Sequence, residues 1–283
     1  MAATPEAGPR APVSAAETVA ARYPRLRYMG SKYALLPQLE RVLGDLAGVT
    51  VADPFSGSGV VSYLAHTMGR EVWASDYLAF PCVLTRATAA NDGVRLSEED
   101  LNELLGPNRD GRSYISRTYS GILFTPEDLA VLDSAWSVLA AWEGTRRDLA
   151  IASLILAAVR KQPRGVFTVT APHYPAYDDG RRQLRMPLRE HITEAVRDWN
   201  RTVLDGGART RVRRGPVEEA PRGADVVYLD PPYAPPRDDN DYIKRYWFLE
   251  GLADYWDGGR AEIMESTAVS YTHLRAHETD SYL

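Results

Sequence analysis

The sequence predicts an α/β fold: an open parallel sheet with a ligand site at its carboxyl edge, interrupted by a mostly helical insert. Three observations carry that expectation. Val49–Asp53 is an apolar strand running into a Gly57-x-Gly59 turn and then an apolar helix, and Glu71–Ser75 is a second strand ending in Asp76. Val226–Leu229 is a short apolar run, read as a buried parallel strand, that ends in Asp230-Pro231-Pro232-Tyr233. Between these blocks, from about Asn91 to Gly215, the strand–helix alternation is lost. Ligands of open α/β sheets bind outside the carboxyl ends of the strands. The glycine turn and the proline pair are therefore expected to meet at one sheet edge.

Composition sets the bounds. The chain has 283 residues, 45% of them hydrophobic, enough for one sizeable core with a subdomain. Its formal net charge is -5, so any nucleic-acid surface has to be local. Cys82 is the single cysteine, which excludes a disulfide framework or a cysteine-based zinc site within the chain and suits a cytoplasmic location. No apolar run approaches the ~18 residues of a membrane span. Residues 1–20 are Ala/Pro-rich without a signal pattern and are expected to be a disordered leader.

Taken in order, the first element is a helix from about Ala34 to Leu43, opened by Tyr28-Met29-Gly30-Ser31-Lys32, with Leu35, Leu36, Leu39, Val42 and Leu43 at helical spacing. A cation near a helix N-terminus is mildly unfavourable, so Lys32 either faces an acidic group or is a solvated surface lysine. In Asp53-Pro54-Phe55-Ser56-Gly57-Ser58-Gly59 the glycines permit a sharp strand-to-helix turn and close approach of a ligand. Ser62 stands where a dinucleotide fingerprint has its third glycine, which disfavours a nicotinamide dehydrogenase and fits a nucleoside loop that need not cradle a pyrophosphate. Asp76 lies at the strand end and spacing that serve ribose hydroxyls, though a helix cap is the alternative.

In the insert, Ser97-Glu98-Glu99-Asp100 and Thr125-Pro126-Glu127-Asp128 open helices, the second running to Trp142, and Asp148–Arg160 is apolar almost all round, hence a buried helix. Pro163–Tyr174 reads as strand or loop. Asp178–Arg185 is either a phosphate- and base-contacting segment or a solvated basic loop, and Arg209, Arg211, Arg213 and Arg214 alternate like an exposed strand face. The sheet pattern resumes at Asp225. Asp241–Leu252 reads as an aromatic-rich helix whose rings serve the core.

Asp230-Pro231-Pro232-Tyr233 carries the chemistry. Two prolines stiffen the turn and remove two amide donors, leaving carbonyls as acceptors. A carboxylate, outward carbonyls and a ring suit a planar base with an exocyclic amino group; the plain alternative is a surface turn.

In the order of its motifs the chain resembles the Dam-like family of DNA adenine-N6 methyltransferases. The residues concerned are Tyr28 to Lys32, Pro54 to Gly59, Asp76, the insert, and Asp230 to Tyr233. That resemblance implies a Rossmann-like S-adenosylmethionine-dependent methyltransferase sheet with a mostly helical target-recognition insert. By position it implies that Tyr28, Gly30, Lys32, Asp53, Pro54, Phe55, Gly57, Gly59, Asp76 and Asp230 bind S-adenosyl-L-methionine. Asp230, Pro231, Pro232 and Tyr233 are implied to be catalytic, with no metal. The domains expected are catalytic over 21–92 and 216–267, with the insert over 93–215. The stretch 268–283, with His273 and His277 spaced like a metal pair, reads as an artefactual tail on a truncated gene. Arg164-Gly165-Val166-Phe167 resembles a family segment but departs from it after the aromatic. Partners implied are double-stranded DNA and a cognate restriction endonuclease, with no membrane and a monomeric state. N4-cytosine, RNA or protein-amide methylation, or a non-catalytic DNA-binding remnant, are the alternatives; the Asp at 230 favours adenine over the other methylation chemistries.

Overall fold

A computed structural model describes residues 13–163, 167–206, 209–232 and 242–256, with 242–244 described by backbone alone. Its centre is a parallel sheet of four strands in the order β3-β2-β1-β4: β1 (Thr50–Asp53), β2 (Glu71–Asp76), β3 (Thr210–Arg214) and β4 (Val226–Val227). Around it stand α1 (Ala15–Arg22), α2 (Leu36–Asp45), α3 (Val60–Thr67), α4 (Ala79–Ala87) and α11 (Tyr242–Asp254). Between β2 and β3 lies a helical body of α5 (Glu98–Leu104), α6 (Tyr114–Tyr119), α7 (Pro126–Leu139), α8 (Gly144–Lys161), α9 (Arg182–Arg185) and α10 (Leu188–Asn200). The α/β class and the helical insert are thus as expected.

Helix α8 is the axis of the helical body. It packs on α10, α4 and α11, and Leu149–Val159 is buried all round, as its unbroken apolar run predicts. Two contacts lock it. Arg86 on α4 donates Nε and Nη2 to the two carboxylate oxygens of Asp148, each at 2.9 Å, and Trp199 on α10 donates to the Ala152 carbonyl at 2.9 Å. The rings of α11 are core, as expected: Tyr246, Trp247 and Phe248 are all fully buried.

The structure departs from expectation in five places. Residues 13–20 are no leader: Ser14 accepts from the Glu17 amide while Glu17 accepts from the Ser14 amide, and this capping box starts α1, whose Ala16 and Val19 are buried. Glu40 of α2 accepts the Ala15 and Ala16 amides as well. Residues 1–12 and the 268–283 tail, with His273 and His277, lie outside the described residues. The sheet is rejoined at Thr210, where β3 pairs with β2, rather than at Asp225. Strand β4 is not buried: it forms the sheet edge among the described residues, and Val227 is 54% and Leu229 65% exposed. Helix α7 stops at Leu139, and Ala171–Tyr177 is a 3-10 turn.

The capping box gives a simple test. Ser14→Ala should lower unfolding free energy by about 1 kcal/mol, read by urea denaturation; an unchanged midpoint would mean that packing alone holds α1.

Candidate active site

Successive strands β1, β2 and β3 step outward in one direction, and β4 then pairs on the other side of β1. The strand order reverses between β1 and β4, which is where open α/β sheets form a binding crevice. A cleft of about 560 Å³ opens there. Its walls include Tyr28–Lys32, Asp53–Ser58, Val60 and Val61, Asp76–Leu78, Gly215–Glu218, Tyr228 and Asp230–Pro232. Of the expected site residues, Tyr28, Gly30, Lys32, Asp53, Pro54, Phe55, Gly57, Asp76, Asp230, Pro231 and Pro232 are brought together in this one cavity. Tyr233 lies outside the described residues, as do Arg164, Gly165 and Val166.

Gly59 does not line the cleft. With φ +77° it opens α3, and a Cβ there would stand 2.8 Å from the Tyr23 hydroxyl, which donates to the Ser58 carbonyl at 2.5 Å. It shapes the turn from behind. Gly57, at φ +49°, does face the cleft. Its amide donates to Asp76 Oδ2 at 2.9 Å, and a Cβ would come within 3.0 Å of the Tyr28 ring.

Three carboxylates stand at the ends of neighbouring strands. Asp53, at the end of β1, is 1% exposed; Ser62 donates to its Oδ2 at 2.6 Å, while Oδ1 has no hydrogen-bond partner among the described residues. Burial pushes its carboxyl up to about 7, with Asp76 and Asp230 adding to the rise and the Ser62 hydroxyl and Phe55 amide opposing it. Asp76 accepts from Gly57 and, at 3.0 Å, from the Leu78 amide. Burial raises it to about 6 against the pull of those amides. Each Asp76 oxygen thus accepts one backbone amide and keeps lone-pair capacity for a further donor, and the cap residue of α4 is Leu78 rather than Asp76.

Asp230 is held by Lys32, whose ammonium forms an ion pair with its Oδ2 and donates to the Gly30 carbonyl at 2.7 Å. Of the two readings of Lys32, the acidic-partner one holds, and the acid is the residue from the far end of the chain. The Lys32–Asp230 pair stitches the segment before α2 to the loop after β4 across the cleft.

Two contributors escaped the sequence. Tyr246 on α11 stacks on Tyr28 with centroids 5.0 Å apart, and its hydroxyl accepts the Met29 amide at 2.6 Å; a helix of core aromatics gives no sign which ring backs a cleft. Ser62, noted only for not being glycine, is the hydrogen-bond donor to Asp53. The mismatch with the dinucleotide pattern was the available signal.

Residues 28–114 match the family of D12 class N6 adenine-specific DNA methyltransferases. Over 253 residues the chain is 27% identical to "Type II methyltransferase M2.HphI" of Haemophilus parahaemolyticus, an alignment covering 84% of this chain and 72% of that protein. No solved structure matches the chain.

The Asp53 environment sets a pH dependence. A carboxyl raised from 3.8 to about 7 contributes stability that is present below about pH 4 and lost as pH rises through about 7, because the fold favours the protonated form. Asp53→Asn keeps an acceptor for Ser62 and does not ionise. Relative to wild type, the variant should therefore gain stability from about pH 4 to about pH 7 and then level off, with a total change of up to about 4 kcal/mol. Urea unfolding at several pH values measures it, and a pH-independent difference would contradict the raised carboxyl.

Proposed function

We propose that the chain is an adenine-specific DNA methyltransferase, a reading supported by the match of residues 28–114 to the D12 class, and that it takes the methyl group from S-adenosylmethionine in the cleft between β1 and β4 and delivers it to adenine N6 beside Asp230. The observation that carries this reading is the convergence, in one cavity, of the Asp230-Pro231-Pro232 turn with the Gly57 turn and the buried Asp53.

The residues present fit the donor. Gly57 leaves backbone open to a ligand, Phe55, Val60 and Val61 supply apolar wall, and Asp53 Oδ1 is a buried acceptor with no partner among the described residues. Tyr28, Gly30, Lys32, Asp53, Pro54, Phe55, Gly57, Asp76 and Asp230 would hold it, with Gly59 shaping the turn from behind. When bound, S-adenosylmethionine supplies a methyl group on a positively charged sulfur.

Adenine N6 is a poor nucleophile because its lone pair is delocalised into the ring. The Asp230 carboxylate and Pro231 carbonyl each accept one N–H, which favours a pyramidal nitrogen with its lone pair directed at the methyl carbon. The positive charge growing on N6 is offset by Asp230, and it would be discharged by loss of one N6 proton to water once the methyl–sulfur bond has broken and left a neutral thioether. Pro232 keeps the turn rigid. The rest is positioning, worth several kcal/mol of the barrier. The base has to leave the duplex stack to reach this depth, and Tyr233 replaces the lost stacking. Lys32 holds Asp230 in place from the opposite wall.

Helices α5–α10 and the segments joining them, between β2 and β3, are the part we assign to target recognition, with the sheet and its flanking helices as the catalytic part. The name of the Haemophilus relative fits a role in a restriction–modification pair, hence a cognate endonuclease; a monomer working in the cytoplasm suits that role. No helix among the described residues is long and apolar enough to cross a membrane.

Asp230→Ala should lower methyl transfer to DNA by at least about a thousandfold while retaining measurable donor binding. A tritiated-methyl transfer assay alongside calorimetric titration reads both, and unchanged turnover would remove Asp230 from the mechanism.

A further inference from the structure

Resting on that reading of the cleft, we propose that Glu250 and Arg214 form a positioning pair that holds the Asp76–Leu78 wall in its donor-binding shape. Neither belongs to the motifs, and neither lines the cavity. Glu250 sits on α11 and is 5% exposed. Both its oxygens lie 2.8 Å from the Ala79 amide, and Oε2 is 3.2 Å from the Phe80 amide. These are first-turn amides of α4, a helix whose own cap residue, Leu78, has no side chain able to accept them. Glu250 thus caps α4 from another helix, with its charge at the positive end of the α4 dipole.

Arg214, the last residue of β3, closes the arrangement. Its Nη2 donates to Glu250 Oε1 at 2.9 Å and its Nε to the Tyr77 carbonyl at 3.3 Å. The next residue, Gly215, donates its amide to the Asp76 carbonyl at 3.0 Å. The turn from Asp76 to Phe80 is therefore gripped on both sides of Leu78: at Asp76 O and Tyr77 O before it, and at Ala79 N and Phe80 N after it. Asp76, Tyr77 and Leu78 all line the cleft.

Burial of this carboxylate is costly, and it pushes Glu250 up to about 7 even with Arg214 and the two amides pulling the other way. Helix α4 does not need the charge in order to pack, since it is buried against α8, α11, β2 and β3. What depends on Glu250 is the conformation of the α4 first turn and of the wall that precedes it. Helix α11 follows the Asp230–Pro232 turn in the chain, so the pair also ties the element downstream of the catalytic loop to the donor wall.

The test is calorimetric titration of the full chain with S-adenosylmethionine, combined with steady-state kinetics and amide hydrogen exchange. Glu250→Gln removes the charge at nearly the same volume and turns an amide donor toward the α4 amides. It should raise the donor Kd about tenfold, raise the donor KM in step, leave kcat at saturating donor within about twofold, and speed exchange at Ala79 and Phe80. Arg214→Gln, a change at a half-exposed side chain, should raise Kd about threefold. Unchanged Kd in a folded Glu250→Gln protein overturns the proposal, and so does a lower binding stoichiometry with unchanged Kd, which would mark a purely structural role. If Glu250→Gln does not fold, Arg214→Gln decides: raised Kd supports the pair, unchanged Kd ends it. A wild-type chain that takes up no donor sinks the cleft reading itself, and the pair's role with it.

Discussion

The constraint on which the site depends is the register between β1 and β4, and one carboxylate sets it. Only Val51–Val226 and Ala52–Val227 pair across those strands, which is little to fix a strand. Asp225, just before β4, supplies the rest. Its Oδ2 accepts from the Val49 amide at 2.7 Å, the Thr50 amide at 2.8 Å and the Thr50 hydroxyl at 2.9 Å, and its own amide donates back to that hydroxyl at 2.8 Å. The Thr50 and Val49 amides hold its carboxyl below the usual range, so the clamp stays ionised into mild acid. The clamp requires Gly48, at φ +133°, because a Cβ there would collide with that of Asp225. A one-residue slip would turn every β4 side chain to the opposite face and carry Asp230 away from Lys32.

With the register fixed, the electrostatics of the edge follow. Asp53 and Asp76 end β1 and β2, Asp230 stands in the loop after β4, and Lys32 pairs with Asp230 at the cleft wall. Like charges in a partly dry cavity cannot all be ionised cheaply. The structure spreads the load in three ways: Asp230 takes the lysine, Asp76 takes backbone amides, and Asp53 is buried with a hydroxyl and an acceptor to spare. An edge arranged like this favours a ligand bringing positive charge, because such a ligand relieves the repulsion instead of adding to it. Gly57 belongs to the same economy of space: its amide faces Asp76, and a Cβ there would press on the Tyr28 ring.

The parts of this arrangement written in local patterns were legible in the sequence. Strands β1 and β2 follow from apolar runs, the turn at Gly57 from its glycines, and helices α5 and α7 from Ser97 and Thr125. Even the meeting of Gly57 with Pro231 follows from the rule that parallel strands present their carboxyl ends together. What was illegible depends on pairing between distant segments. Lys32 could be read as solvated or as facing an acid, and nothing local says that the acid is residue 230. Arg209–Arg214 alternate like an exposed strand, and nothing local says that this strand pairs with β2, because its side chains are only half-buried or exposed. The capping box at Ser14 lies within an Ala/Pro-rich stretch whose composition alone reads as disorder. Val227 and Leu229 misled in the opposite sense: apolar residues usually mark a covered strand, but this one is an edge among the described residues.

The arginines bear on how a chain with net charge -5 meets a polyanion. Many of those described are already paired with acids from the same surface, Arg185 with Asp178, Arg181 with Asp179, Arg182 with Glu190 and Glu194, and Arg213 with Glu219. Read as a charge count, these arginines are neutralised. Exposed pairs of this kind contribute only about 0–1 kcal/mol each, and a guanidinium binds phosphate with the same bidentate geometry that it offers a carboxylate. Exchanging one anion for the other therefore costs little, and the acids left behind return to water. The pairs that tie helices together differ: Lys161–Asp128 is buried and cannot be lent to a ligand, and Arg86–Asp148 is partly covered and bidentate, joining α4 to α8. The exposed arginines of the 178–190 segment and β3 are thus the ones free to exchange one anion for another, while the pairs between helices preserve the scaffold on which Asp230 and the glycine turn are held.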